Sequence, residues 1–262
     1  MLSFDISKEY KGSGVSQGLE RGLLVYNDGI LLVEEGMGLG ACAVQIGGYT
    51  HFTSNKSIYE SGDSFEVVCK IDKMLIWTIW GMKSKPLTRS LEFITTNIYM
   101  KQEKRQNKLL ALGNILRKIF NVKASFVNVP TQGEVKITYE IVGNEIFVNL
   151  SCETKKTGTK IFVMNELGGS IFNQGIVDGL ITPPPTGWEK IAGSCELYSY
   201  IQGLTFAFIQ KNIPTNVRST LYWGREQTAS NYCWAGFESE LFCSERKFNN
   251  YSYSIRFREV AQ

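Results

Sequence analysis

The sequence predicts an all-β protein, a large antiparallel β-sandwich that carries one amphipathic α-helix near residues 101–120. Three observations lead there. Short runs rich in β-branched and aromatic residues recur along the chain, clusters of Gly, Asn and Asp separate them, and a single segment shows helical spacing instead. The 262 residues suffice for one large β domain over 1–262, and two halves, 1–100 and 122–262, joined by the helix are the alternative division.

In GLLVYNDGILLVEE, Asn27, Asp28 and Gly29 separate two apolar runs, a hairpin signal because the turn needs residues that tolerate positive φ. SFEVVCKIDKMLIWTIWGM and LEFITTNIYM follow as β-like runs. VKITYEIVGNEIFVNLSC alternates Val135, Ile137, Tyr139 and Ile141 with Lys136, Thr138 and Glu140, then turns at Gly143 and Asn144. Such alternation implies sheets with one wet face. KQEKRQNKLLALGNILRKIF breaks the pattern, with Leu109, Leu112, Leu116 and Ile119 at helical spacing and Lys or Arg elsewhere. Pro183, Pro184 and Pro185 enforce an extended surface loop.

Composition excludes several functions. Hydrophobic residues make up 43% and charged residues 20%, and no apolar run is long enough to span a bilayer, so no integral membrane segment is expected. No secretory signal is visible, which makes cytoplasmic the expected location. A net charge of +3 gives too weak a field for a nucleic-acid partner. The six cysteines show no CxxC spacing and read as buried thiols. Gly36, Gly38 and Ala41 match a dinucleotide-binding spacing, but only ACAVQI intervenes before Gly47 and Gly48, too short for the helix that would hold a pyrophosphate. No cofactor is expected. His51 is the single histidine, so metal sites built on histidine or cysteine lack a ligand set and no metal is expected.

The most informative stretch is NYCWAGFESELFC. Read as a strand, it places Cys233, Ala235, Phe237, Leu241 and Cys243 on the core face, and Tyr232, Trp234, Glu238 and Glu240 on the other. The preceding strand, LYWGREQ, pairs with it as a hairpin and adds either Trp223 with Arg225 or Tyr222 with Glu226 to that face, according to register. Rings beside carboxylates suit a sugar, because aromatic faces stack on pyranoses while charged groups bond hydroxyls. The expectation is therefore carbohydrate recognition or modification. Trp223, Arg225, Tyr232 and Trp234 would bind the ligand, and Glu238 and Glu240, with His51 as helper, would be the catalytic groups of an enzyme. The alternative is a non-catalytic β protein whose aromatics form a protein contact, a homo-oligomer included, and whose glutamates pair with Arg256 and Arg258.

Size, strand density and aromatic content are similar in a general way to the supersandwich architecture of aldose-mutarotase-like and polysaccharide-lyase proteins. The likeness is one of architecture, carried by no motif, and fold alone supplies no function. Mutarotases use a pair of histidines with a carboxylate, however, and His51 has no second histidine.

Overall fold

The computed structural model describes residues 1–6, 22–33, 38–94, 119–191, 193–227 and 232–260; for residues 55, 56, 92–94, 226, 227, 232 and 233 it describes the backbone alone. The first part of the chain holds β1 (Leu2–Ile6), β2 (Leu23–Asn27), β3 (Ile30–Leu31), β4 (Gly38–Ile46), β5 (Tyr49–Ser61), β6 (Ser64–Ile79), β7 (Met82–Lys83) and α1 (Lys85–Ile94). There follow β8 (Lys123–Asn128), β9 (Gly133–Val142), β10 (Glu145–Thr154), β11 (Thr159–Gly168), β12 (Gln174–Val177), β13 (Leu180–Thr182) and β14 (Gly187–Lys190). The last strands are β15 (Cys195–Ser199), β16 (Leu204–Asn212), β17 (Val217–Gln227), β18 (Tyr232–Cys243) and β19 (Lys247–Glu259). The fold is all-β and antiparallel, and the predicted hairpin turns at Asp28–Gly29 and Gly143–Asn144 join β2 to β3 and β9 to β10.

Successive pairings trace one continuous sheet folded over on itself. One layer runs β5–β4–β11–β18–β17–β14. The other runs β13–β12–β15–β16–β19–β10–β9–β6. The long β5–β6 hairpin belongs to both. Its register slips between Phe52 and Thr53 and again between Ser54 and Ser57, and such bulges bend and twist a strand pair enough to carry it from one layer to the next. Strands before and after the predicted helix thus pair with one another.

Alternation decides which side chains face inward. In β9, Val135, Ile137 and Tyr139 are buried; in β18, Ala235, Phe237 and Leu241 are, as their period-two spacing requires. The two inner faces touch through rings: Phe206 of β16 lies 5.1 Å from Phe237 of β18, and Phe208 lies 6.0 Å from the same ring. They also touch through hydrogen bonds. Tyr253 Oη on β19 donates to Asn165 Oδ1 on β11 at 2.9 Å, Tyr251 Oη donates to Ser239 Oγ at 3.0 Å, and Tyr139 Oη donates to the Leu39 carbonyl at 2.8 Å.

Gly40 makes the last of these contacts feasible. It sits at a bulge where the β4–β11 register shifts, with φ of 81°, and a Cβ there would lie 2.4 Å from Tyr139 Oη. Gly38 and Ala41 of the GxGxxA spacing lie on a strand, β4, as the short length before Gly47 requires, whereas Gly36 lies outside the described residues.

The expected helix near 101–120 lies outside the described residues except for its last two positions. Helix α1 falls where a β-run had been expected, because Leu91–Ile94 of LEFITTNIYM close it. A cap explains the difference. Ser84 Oγ accepts the Leu87 N–H at 3.3 Å, Pro86 occupies the first turn, and the buried Thr88 hydroxyl accepts the Trp77 N–H at 2.9 Å, fixing the helix to β6. Cys42, Cys69, Cys152, Cys195 and Cys243 are buried free thiols, and burial pushes the Cys195 thiol up to about 12.

Candidate functional site

The outer face of the first layer gathers the sequence's acids and rings into rows across β11, β18, β17 and β14. The β17–β18 hairpin settles the register: Tyr222 stands opposite Glu238, Thr220 opposite Glu240, and Glu226 opposite Trp234. On the other side of β18, Met164 stands opposite Glu238, Phe162 opposite Glu240, and Gly168 opposite Trp234. Between the Trp234 and Glu238 rows lies a row of two glycines, Gly236 and Gly224, flanked by Glu166 of β11 and Trp188 of β14. Glu166 and Trp188 are both buried, as is Glu238 at 7% exposure.

Electrostatics differ between the two predicted acids. Glu240 is half-buried and holds an ion pair with Lys160 of β11, Nζ to Oε1, at 2.7 Å. Glu238 lies between Met164 and Tyr222, and the adjoining outer surface is apolar, where Met164 and Ala41 meet Phe52 and Phe126, whose rings are 5.1 Å apart. The Tyr222 phenol is raised above its ordinary value of 10.0, first by burial and then by the charges of Glu240 and Glu238. The phenol therefore stays a donor beside two acceptors. Further along, Arg218 stacks over the Phe242 ring at 4.8 Å.

The same register separates the other predicted residues from this face. Trp223 points inward at 7% exposure within the core, and its ring lies so close to β12 that a Cβ on Gly175 would meet it at 2.5 Å. Arg225 shares that inner face, opposite Ala235 of β18 and Gly187 of β14. A cleft that combines Trp223 and Arg225 with Glu238 is thus not formed, because residues one apart on a strand face opposite ways. Tyr222 and the backbone position of Glu226 join the acids instead. Trp234 is half-buried on the outer face, and the Tyr232 side chain lies outside the described residues.

His51 is also remote from the acids. It sits on β5 opposite Val44 and Met74, two strands away from β18 across β4 and β11, and faces inward at 5% exposure. Nδ1 lies 3.0 Å from the Tyr49 carbonyl and donates to it. Burial holds its pKa below the ordinary 6.5, and nearby Lys156 adds to that, against opposing hydrogen bonds to Tyr49 and Val44. A buried neutral imidazole makes the fold acid-sensitive: its contribution is complete above 6.5 and is lost as the pH falls through the lowered folded value. Urea midpoints measured from pH 7.5 down to 5 should decline, and His51→Gln should flatten that decline. An unchanged slope in the variant would place the titrating group elsewhere.

The expected pairing of Glu238 and Glu240 with Arg256 and Arg258 does not form either, since β19 lies in the other layer. Arg256 instead reaches Glu145 Oε2 through Nε at 3.0 Å and Nη2 at 2.9 Å, and Arg258 reaches Glu196 at 3.4 Å. Sequence reasoning left Tyr222 as one of two registers and missed Lys160, Trp188 and Glu166. The four-residue connection between Gln227 and Tyr232 carried the register that identifies Tyr222; the other three come from strands whose neighbours are distant in the chain.

Among the described residues, no group of three or more His, Cys, Asp or Glu side chains could hold a metal ion, and no helix is long and apolar enough to cross a membrane. No family model and no curated protein matches the chain. Among solved structures it is similar to a 4-alpha-glucanotransferase from Thermococcus litoralis, at 7% identity and a TM-score of 0.34 over 85% of this chain and 27% of the other. The chain thus spans about a quarter of that protein's length, and likeness at this level carries no argument about fold or activity.

Proposed function

We propose that the outer face of β11, β18, β17 and β14 recognises a carbohydrate. The observation that supports this reading is the convergence of Glu238, Glu240 and the Tyr222 phenol in adjacent rows, with the half-buried Trp234 ring on the same face. A pyranose offers hydroxyls to such acceptors and donors, and an apolar face to an indole. The Lys160 ion pair favours binding over hydrolysis, for it commits the Glu240 carboxylate to a cation.

A glycan array followed by titration calorimetry tests the reading. Trp234→Ala and Glu238→Gln should each weaken the retained glycan about tenfold or more, the equivalent of about 1.4 kcal/mol, with no turnover by the parent chain. A parent that retains no glycan, or variants that bind as the parent does, would overturn it. The apolar Phe52, Phe126 and Met164 cluster beside Glu238 favours a second reading, a protein contact on this face. Concentration-dependent mass in light scattering without glycan retention would select that one.

A further inference from the structure

Among the described residues, three two-residue turns with a non-glycine first centre share one backbone geometry. Asp28–Gly29 has φ of 48° and 79°, Asp178–Gly179 has 49° and 82°, and Trp80–Gly81 has 48° and 81°. Hairpin turns with positive φ at both centres ordinarily place Asn or Asp first, because a short polar side chain tolerates the left-handed region. The β6–β7 turn places an indole there. Packing inside the protein does not explain the choice, since Trp80 is 60% exposed.

The indole is not isolated. The Trp80 backbone N–H donates to the Phe120 carbonyl at 3.3 Å, the two rings lie 5.7 Å apart, and Met82 and Ile119 beside them are 67% and 61% exposed. Cations flank this apolar tip, for Lys83 and Lys123 both stand opposite Thr78, and Lys85 and Arg89 follow on α1. Lys83, Lys85, Arg89 and Lys123 are all exposed, and residues 73–91 and 119–133 contain no Asp or Glu. The asymmetry extends through the sequence: residues 73–133 hold eleven of the 28 Lys and Arg and two of the 25 Asp and Glu, so the remainder of the chain is net acidic.

We propose that this end of the molecule docks peripherally on an anionic lipid bilayer. Trp80, Met82 and Phe120 enter the headgroup region, while Lys83, Lys85, Arg89 and Lys123 lie level with the lipid phosphates. Trp is favoured at that boundary because one ring meets both acyl chains and water. Each Lys or Arg held near an anionic surface contributes about fivefold in partitioning, so several cations and a shallow apolar wedge together give salt-sensitive, reversible attachment. The acidic remainder of the chain orients this end toward the lipid.

Sedimentation of the full chain with phosphatidylcholine vesicles, with and without phosphatidylserine, tests the proposal. The chain should sediment with the phosphatidylserine vesicles alone and be released as salt is raised. Trp80→Asp gives this turn the residue found in the other two, so the variant should keep the parent's urea midpoint while its binding falls about tenfold or more. Lys83→Glu combined with Lys85→Glu should reduce binding by more than about twentyfold. The proposal is overturned if the parent stays in the supernatant at low salt, or if Trp80→Asp sediments as the parent does. Retention on heparin without vesicle binding would also overturn it, by pointing to a polyanion rather than a lipid surface.

Discussion

Phe206→Ala should lower the free energy of unfolding by about 3–5 kcal/mol, measured from urea denaturation at constant m-value. Phe206 is fully buried and touches three rings: Phe257 of the neighbouring strand, stacked at 5.5 Å, Phe237 of the opposite layer at 5.1 Å, and Phe172 at 5.9 Å. Truncation removes the transfer contribution of the ring and leaves a hole that its three aromatic neighbours, Phe257 and Phe237 in strands and Phe172 in the β11–β12 connection, fill poorly. The loss is a large part of the roughly 5–15 kcal/mol that holds a typical domain folded. Phe206→Leu, which keeps most of the volume, should cost less than half as much. A loss below about 1 kcal/mol for alanine would mean that the two layers do not close on one another at this ring.

Asn165→Ala should cost about 2–6 kcal/mol, from two buried donors losing their acceptor at about 1–3 kcal/mol each. The Asn165 Oδ1 atom accepts from the Gly40 N–H at 3.0 Å and from Tyr253 Oη at 2.9 Å, so one side chain serves β4 in its own layer and β19 in the other. Burial raises the Tyr253 and Tyr139 phenols well above 10.0, which keeps both protonated and donating at any ordinary pH. Tyr253→Phe removes one of the two stranded donors. The double variant should therefore be more stable than the sum of the single losses, and additive losses would show that the Asn165–Tyr253 bond contributes nothing.

How much of this was readable beforehand differs from element to element. The inward face of β18 followed from Ala235, Phe237 and Leu241 at alternate positions, and the β9–β10 hairpin from Gly143 and Asn144, because both signals lie within one hairpin. Helix α1 was hidden by the apolar content of LEFI, although Ser84 ahead of it and Pro86 in its first turn formed a start signal. The site was half legible. Glu238, Glu240 and Trp234 share a face by parity alone, whereas the choice of Tyr222 over Trp223 required the register of β17 against β18. Lys160 and Trp188 could not be found that way, since β11 and β14 reach β18 and β17 from other parts of the chain.

The pairing of β4 with β11 joins segments separated by more than a hundred residues, and nearly every residue of β4 is buried once it forms. A ribosome extending the chain at roughly 5–20 residues per second leaves that apolar strand lacking one neighbour for about 6–24 s before β11 is made. During that interval nascent β4 exposes a sticky backbone edge, so synthesis rate and chaperone supply, more than the final fold's stability, set the yield of correctly folded chains.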